Sequence, residues 1–308
     1  MPGDKYDVII IGGGPAGLTA GLYASRARLA TLLIEELIPG GQAAVTHQID
    51  NYPGFPGGIS GEKLMESFKQ QAESFGLEIA QGRVERLTLN GDHKGIRTDD
   101  KEYTAKAAII ATGSRPNNLG VPGEEKFKGK GVSYCATCDG AFFRDAEIAV
   151  VGGGDSAIKE ALFLTKFARK INVIHRRSEL RAEKVIQEKA LGNEKIEFVW
   201  DSVVEEIGGE KMVEYLNLKK VKGDERVRLK VEGVFVYIGN RPNSDFLQGV
   251  IELDEKGYVK AGDNTETSSP GIFAAGDVRT KLLRQVATAV GDGATAAMAA
   301  EEYISRAE

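Results

Sequence analysis

The chain has 308 residues, 42% hydrophobic and 28% charged, which exceeds what one hydrophobic core usually serves and predicts two domains. A formal net charge of −5 and a pI near 5.5 argue against a nucleic-acid binder held by phosphate contacts. No apolar run approaches the ~20 residues that span a bilayer. The opening MPGDKYDVIIIGGG lacks the basic, apolar and cleavage regions of a signal peptide, so we expect a cytoplasmic protein without a membrane partner.

Residues 5–36, KYDVIIIGGGPAGLTAGLYASRARLATLLIEE, read as a strand, a glycine turn, an amphipathic helix and a second strand. Continuous apolar runs such as VIII suit a parallel sheet buried on both faces. Gly12, Gly14 and Gly17 form G-x-G-x-x-G directly after the first strand. The first glycine allows the tight turn, the second lets the backbone approach a pyrophosphate, and the third lets helix pack on strand. The phosphates would sit on helix N-terminal amides. Glu35 ends the second strand 18 residues after Gly17, where a carboxylate would bind ribose hydroxyls. FGLEIAQGRVERLTL then predicts an added sheet, and AAIIATGSRPN a closing strand running into a proline-bearing connector.

Both cysteines of the chain, Cys135 and Cys138, fall in GVSYCATCDGAFF, residues 131–143. In a reducing cytoplasm a close pair of this kind is catalytic, redox-active or metal-binding more often than a structural disulfide. Zinc usually takes four ligands, and only three scattered histidines (His47, His93, His175) accompany the cysteines, so we expect no metal.

The first pattern then recurs. Residues 146–177, AEIAVVGGGDSAIKEALFLTKFARKINVIHRR, repeat strand, glycine turn, helix and strand, with Gly152, Gly154 and Ala157 as the G-x-G-x-x-A variant. Gly12 and Gly152 are 140 positions apart, as are Glu35 and His175. KIEFVWDSVVEEI echoes FGLEIAQGRVERLTL, and GVFVYIGNRPN echoes AAIIATGSRPN, an order that internal duplication explains. Here the second strand ends in HRRSELR, so Arg176, Arg177 and Arg181 cluster at the ribose edge, where planar guanidinium groups suit a 2′-phosphate. His175 either orients the nucleotide or packs.

GIFAAGDV, residues 271–278, delivers Gly276 and Asp277, the latter placed to accept from ribityl hydroxyls, and a helix is predicted from about Gln285 with its N-terminal dipole at the site. An acidic ribose site and a basic one imply two dinucleotides, most economically a bound FAD in the first unit and a mobile NADPH in the second. The predicted domains are 1–116 with 245–308 for FAD, and an inserted 117–244 for NADPH, joined through SRPNN and NRPNS.

The motifs GGGPAG, PGGQ, IDNYPG, ATGSRPN, CATCDG, GGGDSA, HRRSELRAEK and FAAGDVRTKLLRQV together resemble the low-molecular-weight thioredoxin reductases of bacteria and archaea over essentially the whole chain. This family is class II of the pyridine nucleotide-disulfide oxidoreductases. The resemblance implies an α/β fold of two Rossmann-like, glutathione-reductase-type domains, one inserted in the other. It implies that Gly14, Pro15 and Ala16 line the FAD pyrophosphate and that Gly41, Gln42, Asn51, Thr112 and Gly113 also serve this site, with Asp277, Arg284, Gln285 and Val286 as its second segment. Gly154, Asp155 and Ser156 would meet the NADPH pyrophosphate; Asp155 stands where many members have Asn.

The same resemblance implies a Cys135–Cys138 disulfide in the NADPH domain, which is expected to rotate so that either the disulfide or the nicotinamide faces the flavin. NADPH would donate hydride to tightly but non-covalently bound FAD, and the dithiol would reduce thioredoxin or a thioredoxin-like protein. Asp139 would protonate the leaving thiolate, for which burial should raise its pKa, or else forms a turn before Gly140. Which cysteine faces the flavin stays open. A homodimer is expected. The alternatives are a ferredoxin-dependent flavin enzyme, against which GGGDSA and HRR argue, and a non-catalytic flavin redox sensor.

Overall fold

The apolar run after Asp4 becomes the central strand of a sheet. In the computed structural model, which describes residues 4–46, 49, 51–134 and 136–307, the chain divides into two compact units, 1–115 with 241–308 and 116–240. The first begins with β1 (Asp4–Ile11), α1 (Pro15–Arg26), β2 (Thr31–Glu35), the short α2 (Gly41–Ala44) and α3 (Gly61–Ser74). It continues through β3 (Glu78–Gln81), β4 (Val84–Asn90), β5 (His93–Thr98), β6 (Glu102–Ile110) and β7 (Ser114–Pro116).

The second unit contains β8 (Val132–Ser133), α4 (Ala136–Asp139), β9 (Glu147–Val151), α5 (Asp155–Leu164), β10 (Lys170–Ile174), α6 (Lys184–Leu191) and β11 (Ile196–Val199). A three-stranded antiparallel sheet of β12 (Ser202–Gly208), β13 (Tyr215–Lys220) and β14 (Arg226–Lys230) precedes β15 (Gly233–Val236). The chain returns through β16 (Asn240–Pro242), which pairs with β7, and finishes the first unit with β17 (Ile272–Ala274) and α7 (Val286–Ala307). The helix expected from about Gln285 is α7.

The two units repeat one topology. Strands run β3-β2-β1-β6 in the first and β11-β10-β9-β15 in the second, all parallel at these pairings. A fifth parallel strand lies beside the closing one in each: β17 beside β6, and β8 beside β15. The copies differ in how the closing strand is used. β6 pairs parallel with β1 along its length, from Tyr103 to Ile110. On its other side it pairs antiparallel with β5 at its start, Lys94 opposite Ala105, and parallel with β17 further on. In the second unit the same two tasks fall to separate strands, β14 and β15.

Burial explains the uninterrupted apolar runs. Val8 and Ile10 pack among Leu18, Ala20 and Ala296 on one face of the sheet, while Ile9 and Ile11 pack with Leu87, Ile251 and Val259 on the other. With both faces covered, strand alternation no longer requires alternating polarity. Ile148 and Val150, against Ala149 and Val151, divide in the same way in the second unit. The alanines of α7 serve close packing: Ala296, Ala297 and Ala300 are fully buried with Ala20 and Ala24 of α1, and a Cβ on Gly293 would collide with the Ala16 carbonyl oxygen.

Candidate functional site

In the first unit, β1 delivers Gly12 in a left-handed conformation, φ +105°, where a Cβ would stand 2.5 Å from the Ala111 carbonyl oxygen. A Cβ on Gly17 would overlap the carbonyl oxygen of Gly12. Gly14 caps α1 without a side-chain hydrogen bond, and a Cβ there would meet nothing within 4 Å. Pro15 follows at the first helical position and Ala16 is buried. The 12-residue helix therefore starts with no side-chain capping acceptor and with room beside Gly14, as an anion cradle requires.

Around this turn, Glu35 accepts from Gly13 N at 2.6 Å through Oε2 and from Leu37 N at 3.1 Å through Oε1. Gly40 N donates to Gly13 O at 2.7 Å, and Gly41 comes so close that its Cβ would lie 3.2 Å from Gly14 Cα. Gln42 is exposed on α2. Asn51 Nδ2 donates to Gln285 Oε1 at 2.8 Å, tying residue 51 to the start of α7. Thr112 Oγ1 donates to Asn243 O at 2.7 Å, Asn243 Nδ2 returns a bond to Thr112 O at 2.8 Å, and Asn243 N donates to Gly113 O at 3.0 Å. Val286 packs beside Ala43, Ile49 and Met65.

β17 leads straight into Gly276 (φ +78°) and Asp277. The Oδ1 of Asp277 is buried with no hydrogen-bond partner, and burial pushes its carboxyl pKa up against the opposing pull of Lys281 and Arg284. Arg284 lies over the Tyr258 ring at 4.0 Å and donates from Nη2 to Arg279 O at 3.3 Å. An orphaned acceptor beside an open helix N-terminus fits a ligand carrying both hydroxyls and a pyrophosphate.

The second glycine turn copies the first. A Cβ on Gly152 (φ +150°) would overlap the Tyr237 carbonyl oxygen and stand 2.7 Å from Ala157 Cβ, so the helix packs on Ala157 where Gly17 serves in the first copy. Gly154 caps the ten-residue α5 without a side-chain bond and with open space at its Cβ. His175 is 4% exposed and its ring lies against Gly153, as the Glu35 side chain lies against Gly13. Burial lowers its pKa, with Arg181 adding to the effect, so the ring is neutral near pH 7.

Arg176, Arg177 and Arg181 are exposed on the loop between β10 and α6, and none makes an ion pair among the described residues. Two bonds clip that loop to the glycine turn: Arg181 N to Gly153 O, and Glu183 N to Asp155 Oδ1, both 2.7 Å. The Asp at 155 thus anchors the start of α6, and Ser156 beside it is exposed.

β8 leads into the cysteine motif. Cys135 lies outside the described residues; Cys138 belongs to α4, which Asp139 closes ahead of a 3-10 turn, Gly140–Phe143. Asp139 is half-buried and makes no side-chain capping bond to that turn. Four neighbours escaped sequence reasoning. Tyr134 Oη donates to Glu124 Oε1 at 2.6 Å, and the carboxylate of Glu124 also accepts from Leu119 N and Gly120 N, each at 2.7 Å. Ala136 N donates to Tyr237 Oη at 2.6 Å. Burial, followed by the charge of Glu160, drives the Tyr237 pKa up, and burial alone pushes Glu160 of α5 up to about 7. One signal pointed at Tyr237: it stands in the second copy where Ala111 stands in the first, each carbonyl facing the first glycine of its turn.

Two duplicated dinucleotide-type units, with Cys-x-x-Cys in the inserted one, define a two-nucleotide disulfide oxidoreductase. The chain belongs to the pyridine nucleotide-disulphide oxidoreductase family, whose profile matches residues 6–293. It is 48% identical over 305 residues to a thioredoxin reductase of Peptoclostridium litorale, covering 97% of each chain. It is 47% identical over 301 residues to that of Bacillus subtilis, covering 97% of this chain and 95% of the relative. The crystal structure of Lactococcus lactis thioredoxin reductase superposes with a TM-score of 0.94 at 47% identity, covering 98% of this chain and 99% of that one. The resemblance drawn from the motifs therefore holds along the whole chain. Among the described residues no helix is long and apolar enough to cross a membrane.

Proposed function

We propose that the protein is an NADPH-dependent thioredoxin reductase, with FAD in the unit that begins and ends the chain and NADPH in the inserted one. The observation that carries the nucleotide assignment is the contrast at equivalent strand ends. Glu35 offers a carboxylate bonded to Gly13 N, whereas β10 is followed directly by a neutral, buried His175 and then by three exposed arginines without ion pairs among the described residues. A 2′-phosphate is repelled by the first and attracted by the second.

Bound there, the two nucleotides would supply hydride transfer and a two-electron store, chemistry that belongs to them and not to the protein. The residues contribute position. Gly14 and the uncapped start of α1 would receive one pyrophosphate, Gly154 and the uncapped start of α5 the other, and the unpartnered Asp277 Oδ1 would accept from a flavin ribityl hydroxyl. Cys135 and Cys138 act as the dithiol. One thiolate attacks the partner disulfide to form a mixed disulfide, and the second displaces the partner's sulfur, leaving Cys135–Cys138 oxidised and the partner reduced by two electrons and two protons. Asp139 holds the proton exchanged with the departing thiolate. On this reading the working molecule is a cytoplasmic homodimer.

Steady-state NADPH oxidation with oxidised thioredoxin as acceptor tests the proposal. Turnover is expected with thioredoxin, and C135S or C138S should remain yellow while losing it; a colourless variant or single-turnover behaviour counts against the reading. Replacing Arg176 and Arg177 with Gln should raise the KM for NADPH roughly ten- to a hundredfold and leave that for NADH nearly unchanged, as the loss of charge-assisted bonds predicts. An equal effect on both nucleotides removes the 2′-phosphate argument.

A further inference from the structure

Asp292, on the first turns of α7, gathers three partners. Its Oδ2 accepts from Gly276 N at 2.9 Å and from Lys281 Nζ at 2.7 Å, and its Oδ1 accepts from Arg279 Nη1 at 3.4 Å. The side chains are mostly buried, with exposures of 17% for Asp292, 12% for Lys281 and 11% for Arg279. Asp277 follows Gly276 directly, and Lys281 lies close enough to oppose the effect of burial on its carboxyl. Yet Asp277 Oδ1 is left without a partner. A buried carboxylate beside a lysine normally takes the ammonium. Here the ammonium is on Asp292.

We propose that Asp292 is a positioning residue for the cofactor: it holds the Gly276 turn and sequesters Lys281, so that the carboxylate of Asp277 stays free to accept a ligand hydroxyl. The inference rests on the reading that this unit binds FAD. Arg279 is anchored independently, donating from Nη2 to Gly262 O at 2.7 Å and to Ala261 O at 3.3 Å. Lys281 has only Thr288 O, at 3.3 Å, besides Asp292 among the described residues. Lys281 is therefore the cation that moves when Asp292 loses its charge. Asp277 is the carboxylate it then meets, and a hydroxyl must compete with an ion pair for the same oxygen.

The test is titration of flavin-stripped protein with FAD, followed by flavin fluorescence, for wild type, D292N, K281M and D292N/K281M. Asn keeps an acceptor for Gly276 N while losing the charge. D292N should weaken FAD binding roughly ten- to a hundredfold, the worth of one charge-assisted hydrogen bond, with K281M near wild type. The double variant should recover most of the loss, because the competing ammonium is gone. A merely structural role predicts the opposite: removing a second buried partner would weaken binding further. Should D292N not fold, D292S keeps a smaller acceptor for the same comparison. FAD binding by D292N equal to wild type, or a double variant weaker than D292N, overturns the proposal while leaving the cofactor assignment intact. A folded wild type that binds no FAD overturns both.

Discussion

The ring of His175 lies against Gly153 so closely that a Cβ on the glycine would collide with it, and the carboxylate of Glu35 sits against Gly13 in the first copy. Duplication preserved the place and exchanged the chemistry. In one copy the strand-end side chain bonds to the turn, Gly13 N to Glu35 Oε2 at 2.6 Å; in the other it fills space beneath it.

G153A and G13A should therefore differ. The buried ring cannot move aside, so G153A should cost about 1–3 kcal/mol through overpacking. At Gly13 the nearest atoms, Oε2, Cβ and Cγ of Glu35, would stand 3.1–3.3 Å from the new methyl, a contact that a shift of the side chain by a few tenths of an ångström relieves. The ring atoms of His175, by contrast, would stand 2.4–2.6 Å from a Cβ on Gly153. Urea denaturation should show G13A as the milder change, and the reverse order would contradict this packing.

Asp155 should act through its oxygen and not its charge. D155A removes the acceptor for Glu183 N, one of two bonds clipping the arginine loop to the glycine turn. KM for NADPH should rise by roughly 3–10-fold, the worth of a typical hydrogen bond, with KM for NADH little affected. D155N retains Oδ1 and should match wild type. If D155N is as impaired as D155A, the charge is what matters.

Glu124, 4% exposed, is the sole acceptor for Leu119 N, Gly120 N and the Tyr134 hydroxyl among the described residues. E124A strands all three, at a cost of about 2–4 kcal/mol, whereas Y134F removes one bond and should cost about 1 kcal/mol. Chemical denaturation of reduced protein distinguishes them. An E124A variant as stable as Y134F would mean that water takes the place of the carboxylate.

Burial raises Glu160 from 4.5 to about 7, so the folded protein binds a proton that the unfolded chain releases between those values. Stability from this group is then full below about pH 4.5 and lost as pH rises to about 7, by on the order of 3 kcal/mol. E160Q should flatten that part of the stability–pH curve. Parallel curves for E160Q and wild type across the window would show that Glu160 ionises freely.

Much of the architecture was legible because it is written locally. Glycines at 12, 14 and 17, an apolar run before them and an acidic residue 18 positions later specify a turn between strand and helix by short-range sterics alone. The repeat at 140 positions then carried the same inference to the second unit, and CATCDG announced itself by composition. Tertiary structure decided what no local pattern encodes. That Tyr237 meets Ala136 across 101 residues, that Glu124 gathers Tyr134 and two amides, and that Lys281 bonds to Asp292 instead of Asp277 depend on side chains brought together by the packing of whole elements. Backbone periodicity fixes which face a residue occupies; only the assembled core, with little water left to satisfy buried polar atoms, decides which partner each must find.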